Sequence, residues 1–207
     1  MSRPLSALSV RPARARGQTT AILGFTPPRT TVLAFAPDAS PARLGGALRR
    51  IVGADTTIVL SADADLEGFR RALSPALVLL CPAQDVLRFL WFYRDEHDPL
   101  ALGHASERWL LDERYPGRRI PDLGTGDGRA EALELVRQMA TMLGLRLPLP
   151  APGRRGEADL TAFLEGCLGL YAALLFRWGA PIALLTDGGK RLVLADEWLR
   201  ERREIER

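Results

Sequence analysis

Cysteine and histidine are scarce in this chain, which contains two of each among its 207 residues. Cys81 and Cys167 are far apart in the sequence and lie in apolar surroundings. This excludes the paired spacing of a structural zinc site and the dense pattern of a disulfide framework. We therefore expect two reduced, buried thiols in a cytoplasmic protein.

Long uninterrupted apolar runs are also missing. The most apolar stretch, residues 160–185, is broken by Glu165 and Arg177, which leave eleven uncharged residues between them. A helix that spans a membrane needs about 20 apolar residues. We therefore predict no membrane partner and interpret this stretch as a buried helix.

Acidic residues are absent from the first 37 positions, although the whole chain carries 25. The same segment contains five arginines, so it carries +5 and the remaining residues carry 3 − 5 = −2. Residues 1–18, which precede the first predicted strand, are therefore interpreted as a basic N-terminal arm. The arginines of this arm are Arg3, Arg11, Arg14 and Arg16.

Such an arm has three interpretations. Its charge can bind the phosphates of a nucleic acid or an acidic partner. It can also be an ordinary solvated terminus. Its arginine-rich, serine-containing composition is also typical of an organelle targeting segment. No aromatic residue is interleaved with these arginines, although proteins that bind single strands usually stack bases on such side chains.

Beyond the arm, the pattern predicts an α/β fold with a largely parallel sheet in the first half of the chain. Residues 19–38 contain two short runs that are rich in strand-forming residues and are separated by two prolines. Residues 31–82 alternate as strand, helix, strand, helix and strand, which is the spacing of parallel βαβ units. Ser40 and Asp65 are residue types that cap helices, so we expect the two helices to begin directly after them.

The second half is predicted to be helical and to end in a β-hairpin. Helices are expected over residues 129–143 and 159–178, followed by a hairpin over residues 181–196 that turns at an Asp-Gly-Gly sequence. The helix over 159–178 is apolar nearly all round and carries small residues on one side, so it is expected to be buried or to form an oligomer contact.

The same elements suggest a division of the chain. After the arm, residues 19–144 are predicted to form the α/β domain. Residues 145–207 are predicted to form a C-terminal element of helix, hairpin and helix that packs on this domain. The start of that element is rich in proline and glycine, which is typical of a linker.

The stretch "TVLAFAPDASPARLGGALRRIVGADTTIVLSADADLEGFRRALSPALVLLC", residues 31–81, resembles the first half of a response-regulator receiver domain. The resemblance implies a receiver-like regulatory fold. The positions of the family's paired acids fall on Ala36 and Pro37, and the position of its phosphorylated aspartate falls on Cys81. The resemblance therefore implies a receiver-like domain that cannot be phosphorylated.

A glycine-rich segment is the first candidate for chemistry. Its residues Asp122, Gly124, Gly126 and Gly128 resemble the first motif of class I S-adenosylmethionine-dependent methyltransferases. In that family the glycines let the backbone approach the cofactor at a turn from strand to helix. The resemblance implies a methyltransferase-like protein. The structural alternative is that Asp127 caps the helix predicted over residues 129–143.

A second candidate is the acid- and histidine-rich segment over residues 95–107. His104 and Glu107 are three positions apart, so on a helix they would share a face, and His97 lies close to them in the sequence. Imidazole and carboxylate groups are suitable ligands for zinc, manganese or iron. This segment suggests a metal-dependent hydrolase or nuclease, and the alternative is a solvated helix end followed by a turn.

Neither candidate amounts to an assembled catalytic set. The main functional prediction is therefore a non-catalytic, soluble regulatory or scaffolding module without a cofactor. It is expected to act through contacts with a protein partner or with further copies of itself.

Overall fold

The computed structural model of this protein describes residues 6–13, 19–26, 29–37, 40–61, 65–84, 86–87, 90, 120–142, 157–177, 182–186 and 190–194. These residues form a mixed α/β fold with helices on both faces of one sheet. The strands are β1 (Ala7–Arg11), β2 (Thr19–Thr26), β3 (Arg29–Pro37), β4 (Thr57–Leu60), β5 (Leu77–Leu80), β6 (Ile182–Thr186) and β7 (Lys190–Leu194). The helices are α1 (Pro41–Leu48), α2 (Leu66–Leu73), α3 (Gly126–Met142) and α4 (Glu157–Arg177).

The strands form one sheet with the order β3-β2-β1-β4-β5-β7-β6. The neighbours β1, β4, β5 and β7 are parallel to one another. On one side, β2 and β3 continue the sheet as antiparallel strands, and on the other side β6 is antiparallel to β7. The predicted α/β class is confirmed, and the parallel strands occupy the middle of the sheet.

Strand β1 lies inside the segment that composition suggests is a basic arm. All five of its residues are buried, and it lies in the interior of the sheet between β2 and β4. Leu8 and Val10 pack into one core, and Ala7 packs into the core on the opposite face. The interpretation of residues 7–11 as part of an arm is therefore wrong. The hydrophobic pattern of a five-residue strand is too short to be recognised in an arginine-rich segment. The position of β1 in the sheet is determined by its pairing with β2 and β4.

Strand β3 does not lie beside β4, which corrects the prediction of consecutive parallel βαβ units over residues 31–82. Two strands, β2 and β1, separate β3 from β4, although β3 and β4 run in the same direction. The short connection between β2 and β3 favours direct antiparallel pairing, and β1 takes the position beside β4. This order differs from the receiver order 2-1-3-4-5, in which the first strand lies between the second and the third.

Helices α1 and α2 begin where the sequence predicts. Ser40 immediately precedes α1 and Pro41 is its first residue, although the Ser40 hydroxyl makes no capping hydrogen bond. Asp65 caps α2, because its Oδ1 accepts a hydrogen bond of 2.8 Å from the backbone N–H of Gly68. Both helices cover the same face of the sheet. The buried residues of this core are Leu8, Val10, Ile22, Leu44, Leu48, Ile58, Leu60, Phe69, Leu73 and Val78.

Helix α4 covers the opposite face, over β1, β2 and β4, and α3 packs against it. Every residue from Ala162 to Leu174 is buried. Leu160–Arg177 is long and apolar enough to span a membrane, but 72% of this window is buried inside the protein. The prediction of a buried helix is confirmed, because the sheet and α3 cover the apolar surface.

Strands β6 and β7 pair antiparallel, with Ile182 opposite Leu194 and Thr186 opposite Lys190. Leu80 of β5 pairs with Arg191 of β7, so the C-terminal strands join the same sheet. The Asp-Gly-Gly sequence at residues 187–189 lies outside the described residues, and the turn predicted there stays a prediction.

Candidate functional site

The carboxyl ends of parallel strands are the usual place for a ligand crevice in an α/β sheet. In this protein β1 ends at Arg11, Ser61 follows β4 and Cys81 follows β5. The three ends are level with one another. The backbone N–H of Ser61 donates to the carbonyl of Val10 at 3.0 Å, and that of Cys81 donates to the carbonyl of Leu60 at 2.9 Å. This edge of the sheet is therefore the first candidate for a functional site.

Helix α4 lies directly on two of these strands at Gly169. A Cβ atom on Gly169 would lie 2.7 Å from Cβ of Ser61 and would also overlap Oγ of Ser9. There is no room even for a methyl group between this helix and the strands at Gly169, so α4 and the sheet are in direct contact there. We call Ser9, Arg11, Ser61, Glu165 and Gly169 the strand-end site.

The strand-end site contains a buried ion pair. Nε of Arg11 donates a hydrogen bond to Oε2 of Glu165, and the two side chains are only 7% and 12% exposed. Charges that are removed from water need a partner of opposite sign. The pair therefore fastens the end of β1 to α4, across 154 positions of sequence. Burial also makes Arg11 inaccessible to a nucleic-acid phosphate in this arrangement.

Among the described residues, the two serine hydroxyls of the strand-end site have no activating partner. Oγ of Ser9 and Oγ of Ser61 are both buried, and neither makes a hydrogen bond within the part of the chain that the structure describes. A serine nucleophile needs a base within hydrogen-bond distance. The part of the chain that the structure describes also contains no group of three His, Cys, Asp or Glu residues that could hold a metal ion. The site thus has the features of a helix–sheet contact.

Cys167, on the same helix, is a core residue. It is buried, and its removal from water raises the pKa of the thiol far above the ordinary value. Because the thiolate is the reactive form, a thiol held protonated in this way is a poor nucleophile. The sequence-based expectation of reduced, buried thiols agrees with the positions of Cys81 and Cys167, which are both buried and form no disulfide with each other.

The raised pKa of Cys167 predicts a loss of stability at alkaline pH. The unfolded thiol ionises above a pH of about 8.5, whereas the folded thiol stays protonated, so the contribution is complete below that pH and is lost as the pH rises. The free energy of unfolding should fall by up to about 1.4 kcal/mol per pH unit from this group. The free energy of unfolding, measured by urea denaturation at several pH values in this range, should fall less steeply with pH for Cys167→Ala than for the wild type. Equal slopes would show that the thiol is not buried in solution.

The glycine-rich segment forms the start of α3. Thr125 is the capping residue, because its Oγ1 accepts a hydrogen bond of 3.1 Å from the backbone N–H of Gly128 and its carbonyl accepts one of 3.1 Å from that of Arg129. The helix therefore begins at Gly126. The prediction that Asp127 caps a helix starting at residue 129 is wrong, since the hydroxyl of Thr125 reaches the free N–H groups first.

The polar groups of this loop bond to one another. Oδ1 of Asp122 accepts from the N–H of Gly124 at 2.8 Å, and the carbonyl of Asp122 accepts from the N–H of Thr125 at 2.9 Å. Nη1 of the buried Arg129 donates to the carbonyls of Leu123 and Gly124 at 3.2 and 3.1 Å. Residues 120–122, which precede the loop, are not in a strand. The four residues of the methyltransferase-like motif are thus together in a capped helix start.

Gly128 is required here by a close approach of two backbone segments. An added Cβ would lie 2.6 Å from the backbone nitrogen of Asp122 and would overlap its carbonyl oxygen, whereas a Cβ on Gly126 meets nothing within 4 Å. We expect Gly128→Ala to lower the free energy of unfolding by about 1.5 kcal/mol, because backbone must move. Gly126→Ala is the matched control and should leave stability unchanged or slightly raised. Equal effects in thermal denaturation would contradict this account of the loop.

Several predicted site residues lie outside the described part of the chain. They are the metal candidates His97, His104 and Glu107 and the arm residues Arg3, Arg14 and Arg16. The metal site and the nucleic-acid contact through these arginines therefore stay predictions. Sequence reasoning missed the strand-end site, because Ser9 and Glu165 belong to no motif and are brought together only by the fold.

Comparison with protein-family models, with curated proteins and with solved structures finds no match for this chain.

Proposed function

We propose that this chain is a non-catalytic regulatory or scaffolding module that acts through protein–protein contacts as a soluble cytoplasmic protein. The observation that carries the proposal is the close packing of the strand-end site. Near the edge where an α/β sheet usually holds a ligand, Gly169 lies against Ser9 and Ser61, and Arg11 is paired with Glu165. We therefore assign recognition to the outer surface of the protein.

The ends of the sheet support a role in protein contacts. Strands β3 and β6 each pair with a single described neighbour, so each leaves one row of backbone N–H and carbonyl groups without a described strand. Such edges can accept a further strand from a partner or from a second copy of the chain. Pairing of this kind needs backbone geometry and shape, and it requires no reactive side chain.

The thiols support the cytoplasmic location. Cys81 and Cys167 are buried and form no disulfide with each other. Thiols outside disulfides are usual where glutathione keeps cysteine reduced.

Recovery of the intact chain from the cells that make it tests the proposal. The tagged full-length protein should elute with a protein partner, or with further copies of itself, in a fixed molar ratio measured by light scattering. The variant carrying both Ser9→Ala and Ser61→Ala should keep the same complex, because these hydroxyls take part in no chemistry. A monomer without partner would overturn the proposal.

Two further measurements address catalysis directly. The purified chain should contain no stoichiometric metal, and S-adenosylmethionine should not raise its melting temperature. Tightly bound zinc, manganese or iron, or a clear thermal shift with that cofactor, would favour an enzyme and contradict the proposal.

A further inference from the structure

We propose that the groove between α1 and α2 is the docking site for an acidic peptide segment of the protein partner. This inference rests on the proposed function, since it names the chemistry of that partner. The groove has a volume of about 520 Å³, which is within the usual range of ligand pockets. Its lining residues are Ser40, Pro41, Ala42, Gly46, Arg49, Asp65, Gly68, Arg71 and Ala72.

The close packing of the two helices makes the groove a fixed feature. A Cβ on Gly45 would lie 2.6 Å from Cβ of Ala72, so α1 and α2 touch through their backbones. Nε of Arg49 donates a hydrogen bond of 3.2 Å to the carbonyl of Ala72, which ties the end of α1 to the end of α2. The groove lies between two helices that are in direct contact.

The groove carries positive charge that the described residues leave only partly compensated. Arg49 and Arg71 line it and are exposed. The first turn of α1 contains no acidic residue, and the hydroxyl of Ser40 makes no capping hydrogen bond. The positive end of this helix dipole therefore adds to the positive potential of the groove. The one carboxylate among the described lining residues, Asp65, already accepts a hydrogen bond from the N–H of Gly68.

The remaining lining selects a peptide over a nucleic acid. Pro41, Ala42, Gly46 and Ala72 provide a small apolar floor between the arginines. A peptide can place carboxylates at the two guanidinium groups and short apolar side chains on that floor. A nucleic-acid strand has a charged phosphate at every link, and the carboxylate of Asp65 would repel some of them.

A binding titration with matched charge reversals tests the inference. The probe is a short fluorescein-labelled peptide in which glutamate alternates with alanine, followed by fluorescence anisotropy with the full-length chain. The variant with Arg49→Glu and Arg71→Glu should bind it at least about tenfold more weakly than wild type. The control with Arg43→Glu and Arg50→Glu makes the same charge change at two exposed residues outside the groove, one in α1 and one in the turn that follows it, and should lose less than about threefold.

The Arg71→Glu single variant should also bind the peptide more weakly than the wild type. It leaves the hydrogen bond between Arg49 and Ala72 in place, so this loss cannot be attributed to separation of the two helices. Equal loss in the groove and control variants, no binding of the acidic peptide, or tighter binding of a single-stranded oligonucleotide would each overturn the inference. The groove variants also separate it from the proposed function. If the native complex persists with both groove arginines reversed, the inference fails while the scaffolding role stands.

Discussion

Replacing Arg11 with methionine should lower the free energy of unfolding by about 3 to 5 kcal/mol, which is the usual cost of removing one partner of a buried ion pair. The side chain of Glu165 is 12% exposed, and Arg11 is the partner that its carboxylate contacts. Without Arg11, the charge on Glu165 would be held in an apolar layer between α4 and the sheet. Urea denaturation monitored by circular dichroism measures the change.

Two variants make this prediction specific. The double change Arg11→Met and Glu165→Leu removes both charges and fills similar volume, so it should recover most of the lost stability. Glu67→Ala breaks the ion pair between Glu67 and Arg70, in which the carboxylate partner is 67% exposed, and should cost less than about 1 kcal/mol. A similarly small cost for Arg11→Met would mean that β1 is not fastened to α4 in solution.

Gly169→Val should lower the free energy of unfolding by about 3 kcal/mol, because it forces a branched side chain between a helix and a sheet that are already in contact. The clash is with Ser9 of β1 and with Ser61, which directly follows the neighbouring strand β4. Neither strand can move without disturbing its pairing with the other. Thermal and urea denaturation should agree on the loss.

Gly46 provides the matched control for Gly169, since both lie inside helices. An added Cβ at Gly46 meets nothing within 4 Å, so Gly46→Ala should raise stability by about 0.5 to 1 kcal/mol through helix propensity. A double-mutant cycle adds a second check. Ser9→Ala removes the hydroxyl that overlaps a Cβ at position 169, so it should reduce the cost of Gly169→Ala by about 1 kcal/mol. No coupling between the two sites would contradict the observed contact.

Both predictions also bear on function. If the strand-end site were a working active site, Ser9 and Ser61 would be retained at a cost in stability, as polar groups of functional sites often are. Ser9→Ala and Ser61→Ala are expected to be neutral or stabilising, because each removes a buried hydroxyl that has no hydrogen-bond partner among the described residues. That outcome together with an intact native complex would favour the scaffolding role.

Local features of the sequence determined much of the secondary structure. Ser40-Pro41 and Asp65 predicted the starts of α1 and α2, because capping involves residues only a few positions apart. The alternation of strand and helix over residues 31–82 predicted that β4 and β5 are parallel strands joined by a helix. The small residues of α4 predicted a buried helix, since a helix that is apolar all round must be covered.

Only the tertiary structure decided which strands lie next to one another and what lies at their ends. Strand β1 was not recognised in its arginine-rich segment. The separation of β3 from β4 was not predicted either, because pairing between distant strands depends on the whole sheet. Arg11 meets Glu165 across 154 positions, and Gly169 meets Ser9 and Ser61 from a different element. No local pattern encodes such contacts, which arise when several elements bury their apolar faces together. The candidate site was therefore determined by packing between elements that are remote in the sequence.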